Sequence, residues 1–129
     1  MRRIAIDTNI YAAFKSNDVN VVNVFRNSDF IGVDMAVLAE LYSGFSLGSR
    51  KDENRRELEA FLSSPRVAIL PHIIETAEYY AHIIKKLKAK GRPIPTNDIW
   101  IAALAIQHNL ILCSRDKHFD LLPQLARVS

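Results

Sequence analysis

Ile4-Ala5-Ile6-Asp7-Thr8-Asn9 is a short apolar run that ends at an acid and then passes into polar residues. The apolar part predicts a buried strand, and residues from about 9 to 15 predict a short helix. Further short apolar runs follow at 30–33, 67–70 and 111–113. Short apolar strands that alternate with helices are typical of a parallel sheet covered on both faces. The sequence therefore predicts an α/β fold with a short, mostly parallel central sheet flanked by helices on both faces.

The segments between these runs carry helix signals. Gly44 and Gly48 are expected to break the helix that begins at Met35, and Gly91 is expected to stop the longest helix. Three consecutive polar residues, Thr96, Asn97 and Asp98, offer competing caps for an apolar helix that should be buried at the centre. The predicted helices cover about 9–15, 20–26 with Asp18 or Asn20 as cap, 35–45, 51–63, 73–90 and 96–108, and residues 126–128 are a candidate edge strand.

Composition indicates one globular domain that covers residues 1–129. Of the 129 residues, 49% are hydrophobic and 24% are charged. No stretch reaches the roughly 18 to 20 apolar residues that a membrane span needs, and the N-terminus has no secretory pattern. The single cysteine, Cys113, lies in an apolar run, so we expect a buried, inert thiol and no intrachain disulfide. We expect a cytoplasmic protein that does not enter a membrane.

The charge balance permits nucleic-acid binding without requiring it. The formal net charge is +3 and the pI is about 9.2. Lysines and an arginine are dense over 85–92, where they either complement the dipole at a helix end or contact phosphate. Arg115 and Lys117 flank an acid, Asp116.

Strand polarity brings two acids together. Asp7 follows the first predicted strand and Asp116 follows the fourth, so both belong at the carboxyl edge of a parallel sheet, where ligands bind in open α/β folds. Each also has a simpler interpretation. Asp7 and Asp98 are candidate helix caps, and Asp116 is a candidate loop former.

Glu40 is harder to explain as a cap, because it lies in the middle of a predicted helix. It either borders the packed face with its carboxylate in water or points into a shared polar pocket. Together, Asp7, Glu40, Asp98 and Asp116 would form an all-carboxylate site, which suits magnesium or manganese. The four histidines show no zinc-type spacing, so we expect all of them to be surface or satisfied residues.

Four segments resemble those of a PIN domain, and more narrowly of a VapC-type toxin from a toxin–antitoxin pair. The third of them is the most specific. They are Ile6-Asp7-Thr8-Asn9, Leu38-Ala39-Glu40-Leu41-Tyr42-Ser43-Gly44, Asn97-Asp98-Ile99-Trp100-Ile101-Ala102-Ala103 and Ser114-Arg115-Asp116. Their order and spacing cover essentially the whole chain.

The resemblance implies a magnesium- or manganese-dependent endoribonuclease whose catalytic and metal-binding residues are Asp7, Glu40, Asp98 and Asp116. It also implies that Thr8, Asn9 and Ser114 orient the metal ligands, with Asp120 as an alternative to Asp116. The implied partners are an RNA substrate, a cognate antitoxin and a second copy of the chain. Residues 45–63, with the helix before them, are the candidate antitoxin groove.

Three other functions stay open at this point. One is a housekeeping nuclease for RNA maturation or decay on the same fold. Another is a phospho-acceptor signalling domain, which normally needs an acidic pair early in the chain and a lysine after a late strand, whereas this chain has one acid after its first strand and Ser114 after its fourth. The third is a magnesium-retaining RNA-binding module without turnover.

Overall fold

The structure is a computed structural model and describes residues 1–128. Five strands form one sheet in which every pairing is parallel. The strands are β1 Arg2–Ile6, β2 Ser28–Asp34, β3 Val67–Leu70, β4 Ile111–Cys113 and β5 Arg127–Val128. The helices are α1 Thr8–Lys15, α2 Val19–Arg26, α3 Met35–Leu47, α4 Lys51–Leu62, α5 Ile74–Lys90 and α6 Thr96–Gln107, followed by a short 3₁₀ helix, Lys117–Leu121.

The strand order is β3-β2-β1-β4-β5. From β1 the chain moves outward through β2 to β3, then crosses back to the other side of β1 to form β4. Because parallel crossovers are right-handed in about 98% of cases, α5 and α6 lie on the opposite face of the sheet from α1–α4. The prediction of a parallel sheet between two helical layers is therefore confirmed.

Aspartates begin three of the helices. The carboxylates of Asp7, Asp18 and Asp34 accept backbone hydrogen bonds from the first turns of α1, α2 and α3. These bonds satisfy donors that a helix start leaves unpaired. Asp18, rather than Asn20, is thus the cap of α2.

The core lies on both faces of the sheet. Helix α6 contributes a nearly continuous buried segment, with Ile99 and Ile101–Ala105 all buried, as its apolar sequence predicted. Cys113 is fully buried, and burial raises the pKa of its thiol to about 11, in agreement with the predicted inert thiol. Within residues 1–128, no helix combines the length and apolar character needed to cross a membrane.

One predicted helix end and one predicted cap are wrong. Helix α3 continues through Gly44 to Leu47, beyond the predicted end at about residue 45, and Gly48, the second glycine expected to break it, is its C-cap. Helix α6 is capped by Pro95 and not by one of the three polar residues that follow. The helix begins at Thr96, as its predicted range has it, and the buried side chain of Ile94 lies just before the cap. Gly91, with a φ of 64°, does stop α5.

Candidate metal centre

The sheet reverses its direction of growth between β1 and β4, and this opens a crevice at their carboxyl ends. Ile6 and Cys113 are paired across the two strands, so the residues that follow them, Asp7 and Ser114, leave the sheet side by side. In open parallel sheets such a switch point is where ligands bind. Topology therefore places the crevice beside Asp7.

A cavity of about 330 Å³ occupies this crevice, and we call it the acidic cavity. All four acids singled out in the sequence line it. Its wall is formed by residues from β1–α1, α3, the start of α6 and the loop after β4, namely Asp7, Thr8, Asn9, Glu40, Pro95, Thr96, Asn97, Asp98, Ile101, Asp116 and His118. The structure thus brings together Asp7, Glu40, Asp98 and Asp116, while their role as ligands stays a prediction.

Asp7 is the most buried of the four acids, with 6% of its surface exposed. One carboxylate oxygen accepts the backbone N–H of Ile10 at 3.0 Å, and the other accepts the Ser114 hydroxyl at 2.5 Å. Burial raises the pKa of the Asp7 carboxyl above its usual range, although both hydrogen bonds act to lower it. The charges of Asp116 and Asp98 raise this pKa further. The helix-cap and cavity interpretations of Asp7 therefore both hold.

Ser114 links two of the acids. Its hydroxyl donates to Asp7, and its oxygen accepts the backbone N–H of Asp116 at 3.0 Å. A buried hydroxyl that donates to a carboxylate fixes the rotamer of that carboxylate and also stabilises its charge. Ser114 therefore holds the ends of β1 and β4 in a single arrangement.

Glu40 reaches the cavity from α3 with its carboxylate exposed to solvent. Its Oε1 atom accepts the hydroxyl of Thr8 at 2.9 Å. Both interpretations left open by the sequence apply, because the carboxylate is in water and also lines the shared polar cavity. Thr8 and Ser114 both contact an acid as hydrogen-bonding supports, whereas Asn9 lines the cavity without such a bond.

Asp98 and Asp116 approach each other around a histidine. His118 Nδ1 lies 2.8 Å from a carboxylate oxygen of Asp98 and 3.1 Å from one of Asp116. One ligand atom from each of the three residues fits within a span of 4.8 Å. The hydrogen bond to Asp98 raises the pKa of His118, with further contributions from the charge of Asp116. The imidazole side chain therefore partly offsets the repulsion between these two carboxylates.

His118 is the residue that sequence reasoning missed, since it was expected to be a surface or satisfied histidine. No sequence spacing marked it. Asp116 is extended and His118 lies in the short 3₁₀ helix, so the direction of the imidazole depends on how the chain turns after β4. His72 does match the expectation, because it contacts Asp34 at 2.5 Å and stacks on Trp100 outside the acidic cavity.

Asp98 and Asp120 differ from their sequence interpretations. Asp98 lies in the first turn of α6 and does not cap it, so its carboxylate is free to face the cavity. Asp120 lies outside the acidic cavity and pairs with Arg127. Asp120 is therefore not placed to substitute for Asp116.

The donor set fits a hard divalent cation. Four carboxylates face one cavity, and two of them raise the pKa of the third through their charge. A cation would remove this repulsion, and oxygen-rich sites favour magnesium or manganese over softer metals.

Comparison with known proteins gives one consistent result. The model of the PIN domain family matches residues 4–125. Ribonuclease VapC2 of Rickettsia felis is 34% identical over 125 residues, which cover 93% of this chain and 92% of that protein. Ribonuclease VapC2 of Haemophilus influenzae is 32% identical over 118 residues, with 90% and 88% covered.

A solved structure agrees in fold as well as in sequence. The crystal structure of VapBC2 from Rickettsia felis bound to a DNA fragment from their promoter contains a chain that superposes with a TM-score of 0.84 at 32% identity. The match covers 97% of this chain and 96% of that one.

Proposed function

This chain belongs to the PIN domain family, and from that premise we propose that it is a divalent-metal-dependent endoribonuclease, the toxin of a type II toxin–antitoxin pair. The observation that carries the proposal is the convergence of Asp7, Glu40, Asp98 and Asp116 on one cavity at the switch point of the sheet. Relatives that match over nine-tenths of the chain and carry the name ribonuclease VapC support the choice of RNA as substrate.

The four acids would hold one or two magnesium or manganese ions. Such an ion supplies a polarised water and stabilises the charge that develops on the phosphodiester. The chain itself provides orientation. Ser114 and the backbone of Ile10 fix both oxygens of Asp7, and Thr8 fixes Glu40. Groups that orient metal ligands in this way typically change metal affinity or activity about 10- to 100-fold when they are removed.

Incubation of the purified chain with total RNA, with and without magnesium, tests the activity, and mapping of the cut ends identifies the target. Internal cuts that require magnesium are expected. Asp7→Asn protein purified in parallel is the control, since a contaminating ribonuclease would survive that substitution. Equal cleavage of RNA by the parent and the Asp7→Asn preparation would exclude the proposed activity.

We further propose that a cognate antitoxin binds the groove between α1, α3 and α4. A cavity of about 210 Å³ lies there, and Tyr11 and Phe45 contribute to its lining. The Tyr11 hydroxyl is buried and has no hydrogen-bond partner within residues 1–128. Structures of VapBC complexes from Rickettsia felis and Haemophilus influenzae support an antitoxin partner.

Phe45→Ala tests this groove by affinity measurement with the antitoxin. Weaker binding is expected, while Val19→Ala, an exposed change on α2, should bind as the parent does. Unchanged affinity in the Phe45 variant would exclude the groove. Leu58, which lies in the predicted groove segment, is fully buried, so its substitution would test folding instead.

A further inference from the structure

A second cavity borders the segment 114–118, which also lines the acidic cavity, and we call it the basic pocket. It has a volume of about 350 Å³ and opens at the carboxyl ends of β4 and β5. It is lined by Ser114, Arg115, Lys117, Asp120, Arg127 and Val128. Among residues 1–128, three cations therefore face one carboxylate in this pocket.

The two cavities share one loop, whose side chains alternate between them. Asp116 and His118 line the acidic cavity, and Arg115 and Lys117 line the basic pocket. Asp116 has an extended backbone and Lys117 begins the short 3₁₀ helix, so this alternation spans a change of backbone conformation. The two pockets are thus separated by a single backbone segment, with negative charge on one side and positive charge on the other.

The three cationic side chains differ in how many hydrogen bonds and ion pairs they already make within the protein. Arg127 donates to the backbone carbonyls of Ser114 and Asp116 and pairs with Asp120, so it supports the loop. Arg115 makes two hydrogen bonds to Asp18, at 2.8 and 3.0 Å, and remains partly exposed.

Lys117 is the cation best placed to meet a ligand. It is exposed and forms no ion pair with any other residue within 1–128. A lysine without a partner at the wall of a pocket that already holds two arginines suits an anion with several oxygens. Phosphate is such an anion.

We propose that the basic pocket binds a backbone phosphate of the RNA strand next to the phosphodiester held in the acidic cavity. Lys117 is the main contact to this phosphate. Arg115 gives up its hydrogen bonds to Asp18 and makes a second contact to the same phosphate. This proposal rests on the proposed ribonuclease function. It assigns the position of the neighbouring nucleotide to the side of the 114–118 segment that faces the basic pocket.

Salt dependence of RNA binding provides the test. The probe is a short fluorescein-labelled oligouridine, and its affinity is measured by anisotropy over a range of potassium chloride concentrations. The Asp7→Asn background prevents turnover. Log affinity falls linearly with log salt, and loss of one phosphate contact makes this negative slope shallower by about 0.7 for single strands. We expect this shallower slope for Lys117→Gln in the Asp7→Asn background.

Two further variants in the same background serve as comparisons. Lys51→Gln removes an exposed lysine from α4, a helix that contributes no residue to the lining of either pocket within 1–128, and should leave the slope unchanged. Asp120→Asn removes the one carboxylate that lines the pocket among residues 1–128 and should tighten binding. An unchanged slope for Lys117→Gln, or an equal change of slope for Lys51→Gln, would overturn the proposal. Melting temperatures of all variants show that each one is folded.

The outcome separates this proposal from the proposed activity. If RNA binding depends on Lys117 but the parent protein does not cut RNA, the phosphate subsite is supported and the nuclease function is excluded. If the parent protein cuts RNA in a magnesium-dependent way but RNA binding does not depend on Lys117, the subsite is excluded and the nuclease function is retained.

Discussion

Asp7 combines a structural and a chemical role in one carboxylate. It caps α1, and it also lies in the cavity with two other acids that raise its pKa. Burial is the largest cause of that raised pKa. A carboxyl whose pKa is higher in the folded state stabilises the fold below its unfolded pKa and loses that contribution as pH rises through the folded value. At neutral pH, the ionised Asp7 therefore destabilises the metal-free protein.

Asp7→Asn should raise the melting temperature of the metal-free protein at neutral pH, because the amide removes the buried charge and keeps an oxygen for the Ile10 bond. The gain should shrink as pH falls towards the range in which Asp7 itself is protonated. Thermal unfolding across this range, in the presence of a chelator, measures the effect.

Magnesium should raise the melting temperature of the parent and have a much smaller effect on Asp7→Asn, because a ligand that binds only the folded state stabilises it. A variant that is less stable than the parent at neutral pH without metal would contradict this account of Asp7.

At the scale of elements, two glycines that look equivalent in sequence have opposite roles. Gly91 ends α5 with a left-handed backbone at a φ of 64°, whereas Gly44 lies inside α3. A side chain at either position would meet nothing within 4 Å, so sterics do not distinguish them. The difference is conformational only.

Gly91→Ala should therefore destabilise the protein by about 1–2 kcal/mol, the cost of a left-handed backbone for a residue with a Cβ atom. Gly44→Ala should stabilise it by about 0.5–1 kcal/mol, because alanine is the better helix former. Urea unfolding of the two variants and the parent measures both changes in the free energy of unfolding. The same sign of change in both would contradict the assigned backbone conformations.

Helices and strands were predictable where the local sequence pattern matched the burial of the segment in the fold. Apolar runs located the strands of the sheet, and the wholly apolar α6 was expected to be buried. The cap of α6 was not predictable, because Thr96, Asn97 and Asp98 are equally good caps by local chemistry, whereas the helix follows Pro95 with no side-chain cap.

At the scale of the whole molecule, the candidate site depends on chain topology. Ser114 and Asp7 are 107 positions apart and yet share a hydrogen bond, because β1 and β4 are neighbours. Strand polarity was enough to predict that Asp7 and Asp116 meet at one edge. The side chains of Glu40 and His118 could not be placed from residues alone, since their directions depend on how α3 and the 114–118 loop cross that edge.

The central claim is that the acids in the cavity act through a bound divalent ion on RNA. Its most direct measurement is the initial rate at which the purified chain cuts one RNA oligonucleotide in magnesium, for the parent, Asp98→Asn and Asp29→Asn. Asp29 is an exposed aspartate at the amino end of β2, so it undergoes the same chemical change at the opposite edge of the sheet.

We predict a loss of at least about 100-fold for Asp98→Asn, since a direct ligand should cost no less than the groups that support it. Asp29→Asn should cut at the parent's rate, and a chelator should stop the parent and this control alike. Cleavage by Asp98→Asn at the parent's rate, or cleavage by the parent that persists in the chelator, would contradict the claim.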